Sequence, residues 1–461
     1  MRTLIRGGEV VTAADRYAAD VLVEDERIAV IGRDLGSSSL AQGAELIDAA
    51  GKLVIPGGID VHVHMELPFM GTHSIDDFES GSVAAICGGT TTLVDFVIPK
   101  RGDGLLDTLE TWNQRHHGKP AVDYTYHMAV TWWSQQIHDE IPKVVERGIT
   151  SFKVFMAYKG VLQLDDDELF QTLLRVREVG GLVTVHAVNG DVQNRMAERF
   201  ATAGQLTPHY HPLAQPPEAE GEAAGRVIDL AAIAKQPVYI VHTTCAEALG
   251  RVIAARRRGQ EAYSETCPQY LLLDDSLYDL PGFEGAKYVL SPPLRKPADQ
   301  AALWQGLADG SVATVGTDHC SFKFAGQKEM GREDFRKIPN GFNGIEERVN
   351  LLYSFGVRQG RISASRWVEV CAANPAKIFG LYPRKGTIAV GSDADLVVFD
   401  PDRHDFISAK THHSRSDYNV YDGLKLEGMA DTVLLRGRVV YQNGQYCGGK
   451  GGGQFLKRSP L

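Results

Sequence analysis

The chain has 461 residues, 43% hydrophobic and 23% charged, an ordinary globular mixture that excludes disorder, collagen and a coiled coil. At about 150 residues per domain the length fits about three domains, or one large α/β barrel with an appendage. The net charge of −10 gives no electrostatic case for nucleic acid or an anionic membrane surface, and no apolar run reaches the roughly 18 residues of a membrane helix.

The start, Met1 to Gly8, lacks the apolar core of a secretion signal, and the six cysteines are scattered with no CxxC pair. Both features predict reduced thiols and a cytoplasmic protein. Next, Leu4 to Val11 reads as strand, glycine turn and strand, and it has a near echo in Leu434 to Val440. With strand signals at Ala19–Val23, Arg27–Ile31 and Ala394–Phe399, the two termini are expected to build one small β-sandwich domain, residues 1–54 with 381–447. Two unrelated hairpins are the alternative. Residues 55–380 alternate short apolar runs with helical patterns such as Asp166–Val179 and Ala246–Arg258. With Ile59–His64 as the first strand there are about eight strand–helix units, the number that closes a (β/α)8 TIM-like barrel. An open doubly wound sheet competes, but no G-x-G-x-x-G follows a strand. Residues 448–461 are glycine-rich and read as a flexible C-terminal tail; its Phe455-Leu456 is expected to dock on a neighbouring subunit or to fray.

His62 and His64 are two apart on a strand and face one way. Alone, this H-x-H also fits two satisfied core histidines. His186, His242 and Asp318 each stand at the end of another apolar run. In a parallel barrel such ends converge on the catalytic face. Four imidazoles and a carboxylate are costly to bury there without a metal, and nitrogen with carboxylate oxygen suits zinc. Lys153 lies mid-strand, where a charge is expensive; it either snorkels to the surface or, as a neutral amine beside metal, adds carbon dioxide to become a bridging carbamate.

The set Asp60-Val61-His62-Val63-His64, Lys153 to Lys159, Val185-His186, Val241-His242-Thr243-Thr244 and Gly316 to Cys320 resembles the dihydropyrimidinase/hydantoinase family of the amidohydrolase superfamily. Ser291-Pro292-Pro293-Leu294-Arg295 and Ile338-Pro339-Asn340-Gly341 are similar to that branch in particular, and the resemblance runs from about residue 2 to 450. It implies two zinc ions per subunit, bridged by N6-carboxylated Lys153 and a hydroxide. His62, His64 and Asp318 would hold the more buried zinc and His186 and His242 the other. It also implies a homotetramer and a small cyclic diamide as substrate: 5,6-dihydropyrimidines such as dihydrouracil and dihydrothymine, or 5-substituted hydantoins, opened to N-carbamoyl amino acids. Tyr158 would donate to the developing oxyanion, Asp318 would carry the proton to the leaving nitrogen, and Ser291 and Asn340 would bind the ring through backbone atoms. Met65, Leu67, Phe69, Phe155 and Leu162 would form an apolar gate for the exocyclic group. His319, the strand neighbour of Asp318, is expected to point away from the metals. A dihydroorotase-type arginine after H-x-H is missing; Met65-Glu66-Leu67 stands there instead. An allantoinase-type enzyme and a non-catalytic dihydropyrimidinase-like scaffold remain as alternatives.

Overall fold

The structure, a computed structural model, describes residues 1–460. Its centre is eight parallel strands: β1 (Gly58–Val63), β2 (Thr90–Val97), β3 (Asp123–Ala129), β4 (Ser151–Phe155), β5 (Leu182–His186), β6 (Val238–Ile240), β7 (Ala262–Thr266) and β8 (Thr314–Val315). They are the apolar runs of the sequence, and they pair in chain order from β1 to β8. The His64 N–H donates to the His319 carbonyl at 2.8 Å, and Val63 bridges His319, which brings β1 against the segment after β8. The sheet is therefore a nearly closed barrel rather than an open doubly wound sheet.

Helices separate the strands and cover the barrel. Asp166–Glu178, after β4, shows why they form. Asp165 caps it by accepting from the Glu168 N–H at 2.9 Å while Glu168 reaches back to the Asp165 N–H. Leu169, Leu173 and Val176 recur at helical spacing and are buried against the barrel. Among the described residues no helix is long and apolar enough to cross a membrane.

The termini build two further sheets. One has four strands, ordered Arg27–Gly32, Asp20–Glu24, Arg2–Arg6 and Glu45–Asp48. The other has seven and mixes both ends of the chain: Leu396–Phe406 pairs antiparallel with Leu53–Pro56 on one side and with Lys425–Leu435 on the other. Ile5, Val10, Val21, Val54, Leu396, Val398 and Leu434 share one core between them.

The terminal echo of the sequence resolves into two different structures. Leu434 to Val440 is a true hairpin, with Arg436 and Gly437 both at positive φ as a tight two-residue turn requires. Leu4 to Val11 is not a hairpin: Arg2–Arg6 and Glu9–Val11 lie in different sheets. Gly8 makes that crossing, since a Cβ there would meet Val54 and Ala49 at 2.7 and 2.9 Å. The reading of residues 448–461 also needs correction. Phe455 bridges Tyr124 at β3, Leu456 is fully buried, and the Arg458 guanidinium donates to the Tyr126 carbonyl and to Ser151 Oγ. The segment docks on its own barrel, because one apolar side chain and one long cation fill the floor beneath β3 and β4.

Candidate active site

The expected residues meet at the C-terminal ends of the barrel strands. His62 lies on β1 and His64 just beyond it, Lys153 is central in β4, and His186 ends β5. His242 follows β6 and Asp318 follows β8. Asp318 Oδ1 stands 3.2 Å from His62 Nε2 and 3.2 Å from His64 Nε2. One ligand atom from each of these three residues lies within 4.8 Å of the other two, a spacing that suits a shared cation. Across the mouth, His186 Nδ1 and His242 Nε2 face each other at 2.9 Å. Burial holds His62, His186 and His242 well below the ordinary histidine value, which favours the neutral ring whose lone pair a metal can take.

Lys153 does not snorkel. It is buried, its Nζ lies 4.8 Å from the Phe96 ring centroid and 5.3 Å from that of Phe155, and burial pushes its amine down to about 8. Burial would raise Asp318, but His62, His64 and Lys153 hold it below its usual value.

Neighbouring groups aim these side chains. Glu265 Oε1 accepts from His62 Nδ1 at 2.6 Å and from the His242 N–H at 3.0 Å, which turns the lone pair of His62 Nε2 inward. Tyr239 donates to the other Glu265 oxygen at 2.8 Å. Burial pushes Glu265 up to about 7. Asp60 accepts from Thr317 Oγ1 at 2.6 Å and from the Thr317 N–H at 3.1 Å, and so ties β1 to the segment carrying Asp318. Sequence reasoning gave Glu265 no role; its signal was an acid inside an otherwise uncharged strand, Ala262–Thr266. His319 does point away, with Nε2 at 3.0 Å from Asp76 Oδ2.

The site opens into a cavity of about 1050 Å³. Leu67, Phe69, Phe155 and Leu162 line it, together with Tyr158, Ser291 and Asn340. Met65 does not belong to this gate. It is buried the other way, so close to the helix Phe78–Cys87 that a Cβ on Gly81 would meet its sulfur at 2.5 Å. Burial pushes the Tyr158 phenol above its ordinary value against the pull of Ser291 and Asn340, so it is a proton donor at neutral pH. The Ser291 hydroxyl donates to Gln215 Oε1 at 2.9 Å.

The amidohydrolase family pattern matches residues 53–440. The chain belongs to the amidohydrolase family. It is 50% identical to a D-hydantoinase of Geobacillus stearothermophilus over 460 residues, covering 100% of this chain and 97% of the relative. It is 42% identical to a dihydropyrimidinase of Rattus norvegicus, covering 100% and 89%. The crystal structure of a dihydropyrimidinase from Brevibacillus agri NCHU1002 superposes with a TM-score of 0.98 at 48% identity, covering 100% of this chain and 99% of that one. The amidohydrolase is thus a hydrolase of the hydantoinase/dihydropyrimidinase branch, a generally metal-dependent family, and His62, His64 and Asp318 form a cluster that could hold a metal ion.

Proposed function

We propose that this amidohydrolase opens the ring of 5,6-dihydropyrimidines and 5-substituted hydantoins to give N-carbamoyl amino acids, using two zinc ions. The observation that carries the reading is the convergence of His62, His64, His186, His242, Asp318 and buried Lys153 at one barrel mouth. The donor set fits the metals. Imidazole nitrogens and a carboxylate converging at one mouth are the ligand types that suit zinc, and carboxylation would give the buried Lys153 amine anionic oxygens to offer the same ions. His62, His64 and Asp318 would hold one ion, His186 and His242 the other, and a carboxylated Lys153 would join them. Such ions supply positive charge that acidifies a bound water and polarises a carbonyl.

The protein's own groups do the rest. Asp318 accepts the proton of the attacking water and returns it to the leaving ring nitrogen. Tyr158 donates to the oxygen that gains charge. Ser291 and Asn340 hold the ring's amide groups through their backbones, a role supported by the Ser291 hydroxyl being already committed to Gln215. Leu67, Phe69, Phe155 and Leu162 take the exocyclic substituent. Of the cations on the outer wall, Arg101 pairs with Glu168 at 2.8 Å, Lys159 pairs with Asp191 and Arg115 lies over the Trp112 ring at 4.6 Å, while Lys100 is exposed at the rim. A carboxylate held among Leu67, Phe69, Phe155 and Leu162 would be buried against apolar side chains, at a cost in desolvation. A homotetramer is part of this reading by family resemblance.

The test is metal analysis of Lys153→Ala beside the wild type, with ring opening assayed on both. The expected outcome is loss of the metal pair and of turnover together, with partial recovery when short carboxylic acids stand in for the carbamate. A variant that keeps two zincs and full turnover contradicts the bridging role.

A further inference from the structure

Lys328 is a buried cation outside the metal site. It opens the short helical turn Lys328–Gly331, is fully buried, and its Nζ donates to the carbonyls of Val289 at 2.7 Å, Pro339 at 2.7 Å and Gly341 at 2.9 Å. An ammonium has three N–H groups, so all three are committed to backbone. These carbonyls belong to two segments distant in sequence. Val289 lies two residues before Ser291, and Pro339 and Gly341 flank Asn340. The segments are also joined directly, by the Gly341 N–H donating to the Val289 carbonyl at 3.1 Å. His211 Nε2 fixes the Leu290 carbonyl at 2.6 Å. Among the described residues the backbone N–H and C=O groups of Ser291 and Asn340 make no hydrogen bond, and both residues line the cavity. The neighbour of Lys328, Gln327, donates to Thr72 Oγ1 at 2.8 Å and to the His73 carbonyl at 2.9 Å, which anchors the hairpin carrying Phe69 to the same turn.

We propose that Lys328 is a positioning residue: by clasping the carbonyls around Ser291 and Asn340 it leaves the backbone groups of those two residues aimed at the ring's amides. The proposal rests on the ring-opening reading and adds what holds the ring-binding loops in place. Burial pushes the amine down to about 7, as expected of a cation whose partners are neutral carbonyls. A group that only positions ground-state contacts affects KM more than kcat.

The experiment compares wild type, K328M and K328Q for steady-state opening of dihydrouracil and a phenyl-substituted hydantoin, with zinc content and thermal unfolding measured on the same samples. K385M is the control. Lys385 is equally buried but is bonded to Asp123 at 2.6 Å and Asp395 at 2.6 Å, at the opposite end of the barrel. Expected are a KM higher by roughly 10- to 100-fold in K328M, a smaller rise in K328Q, kcat within about 3-fold and full zinc content. K385M should lose thermal stability with KM unchanged. An unchanged KM in folded K328M or K328Q overturns the proposal, as does failure of both to fold, which would make Lys328 a purely structural group. If K328M alone fails to fold, K328Q decides. Wild type that opens neither ring refutes the ring-opening reading and this inference with it, an outcome distinct from an unchanged KM.

Discussion

Tyr158, His242 and Asp318 all hold left-handed backbone, at φ of 68°, 37° and 53°. Such a conformation costs a non-glycine residue about 1–3 kcal/mol, and it persists only where the surroundings enforce it. Here they do: Glu265 grips the His242 N–H, Asp60 grips Thr317, and the Tyr158 carbonyl accepts from the N–H groups of Val161 and Leu162 at 3.0 Å each. The strain turns each side chain into the barrel mouth just after its strand ends. For Tyr158 this predicts a role in the reaction rather than in packing. Tyr158→Phe should lower turnover by ~10²–10³ with both metals retained, as loss of one oxyanion donor does. Unchanged turnover, measured with metal content on the same sample, would make it a packing residue.

At the scale of elements, the period-2 rule brought His62 and His64 to one face, and strand-end position brought His186, His242 and Asp318 to the same mouth. Both signals are local, so both were legible. The gate was less so. The segment after β1 is irregular, and alternation along it does not say which side chains face inward; Met65 turns to the core while Leu67 and Phe69 face the cavity. Glu265, Asp76 and Lys328 were invisible for another reason. Their meaning lies in partners 203, 243 and 39 residues away, which no spacing rule connects. The corrected gate makes its own prediction. The Phe69 ring lies 5.7 Å from that of Tyr158, so Phe69→Ala should widen the space beside the reacting ring. The ratio of kcat/KM values for a phenyl-substituted hydantoin and dihydrouracil should shift by roughly 10-fold or more, with metal content unchanged. An unaltered ratio would remove Phe69 from the gate.

Over the whole molecule, the chain closes on itself twice. Both ends share the seven-stranded sheet, and the final residues return to the barrel floor. The shared sheet was readable from strand patterns at each terminus. The docked tail was not, since glycine-rich composition speaks of freedom and says nothing of a single leucine that finds a pocket. Leu456 is fully buried among Ile59, Val61, Tyr239 and Phe379. Leu456→Ala should cost about 2–5 kcal/mol of stability, seen as a lower denaturation midpoint; a neutral substitution would mean the tail contributes little. The barrel that this packing supports places the six candidate ligands, the Tyr158 phenol and an apolar wall around one cavity, the arrangement proposed to open neutral cyclic amides. The most direct measurement is the kcat/KM of one zinc-replete preparation for dihydrouracil, a phenyl-substituted hydantoin and dihydroorotate. Efficient opening of the first two, with dihydroorotate turned over poorly, is the predicted result; dihydroorotate as the best substrate would contradict both the apolar gate and the proposed function.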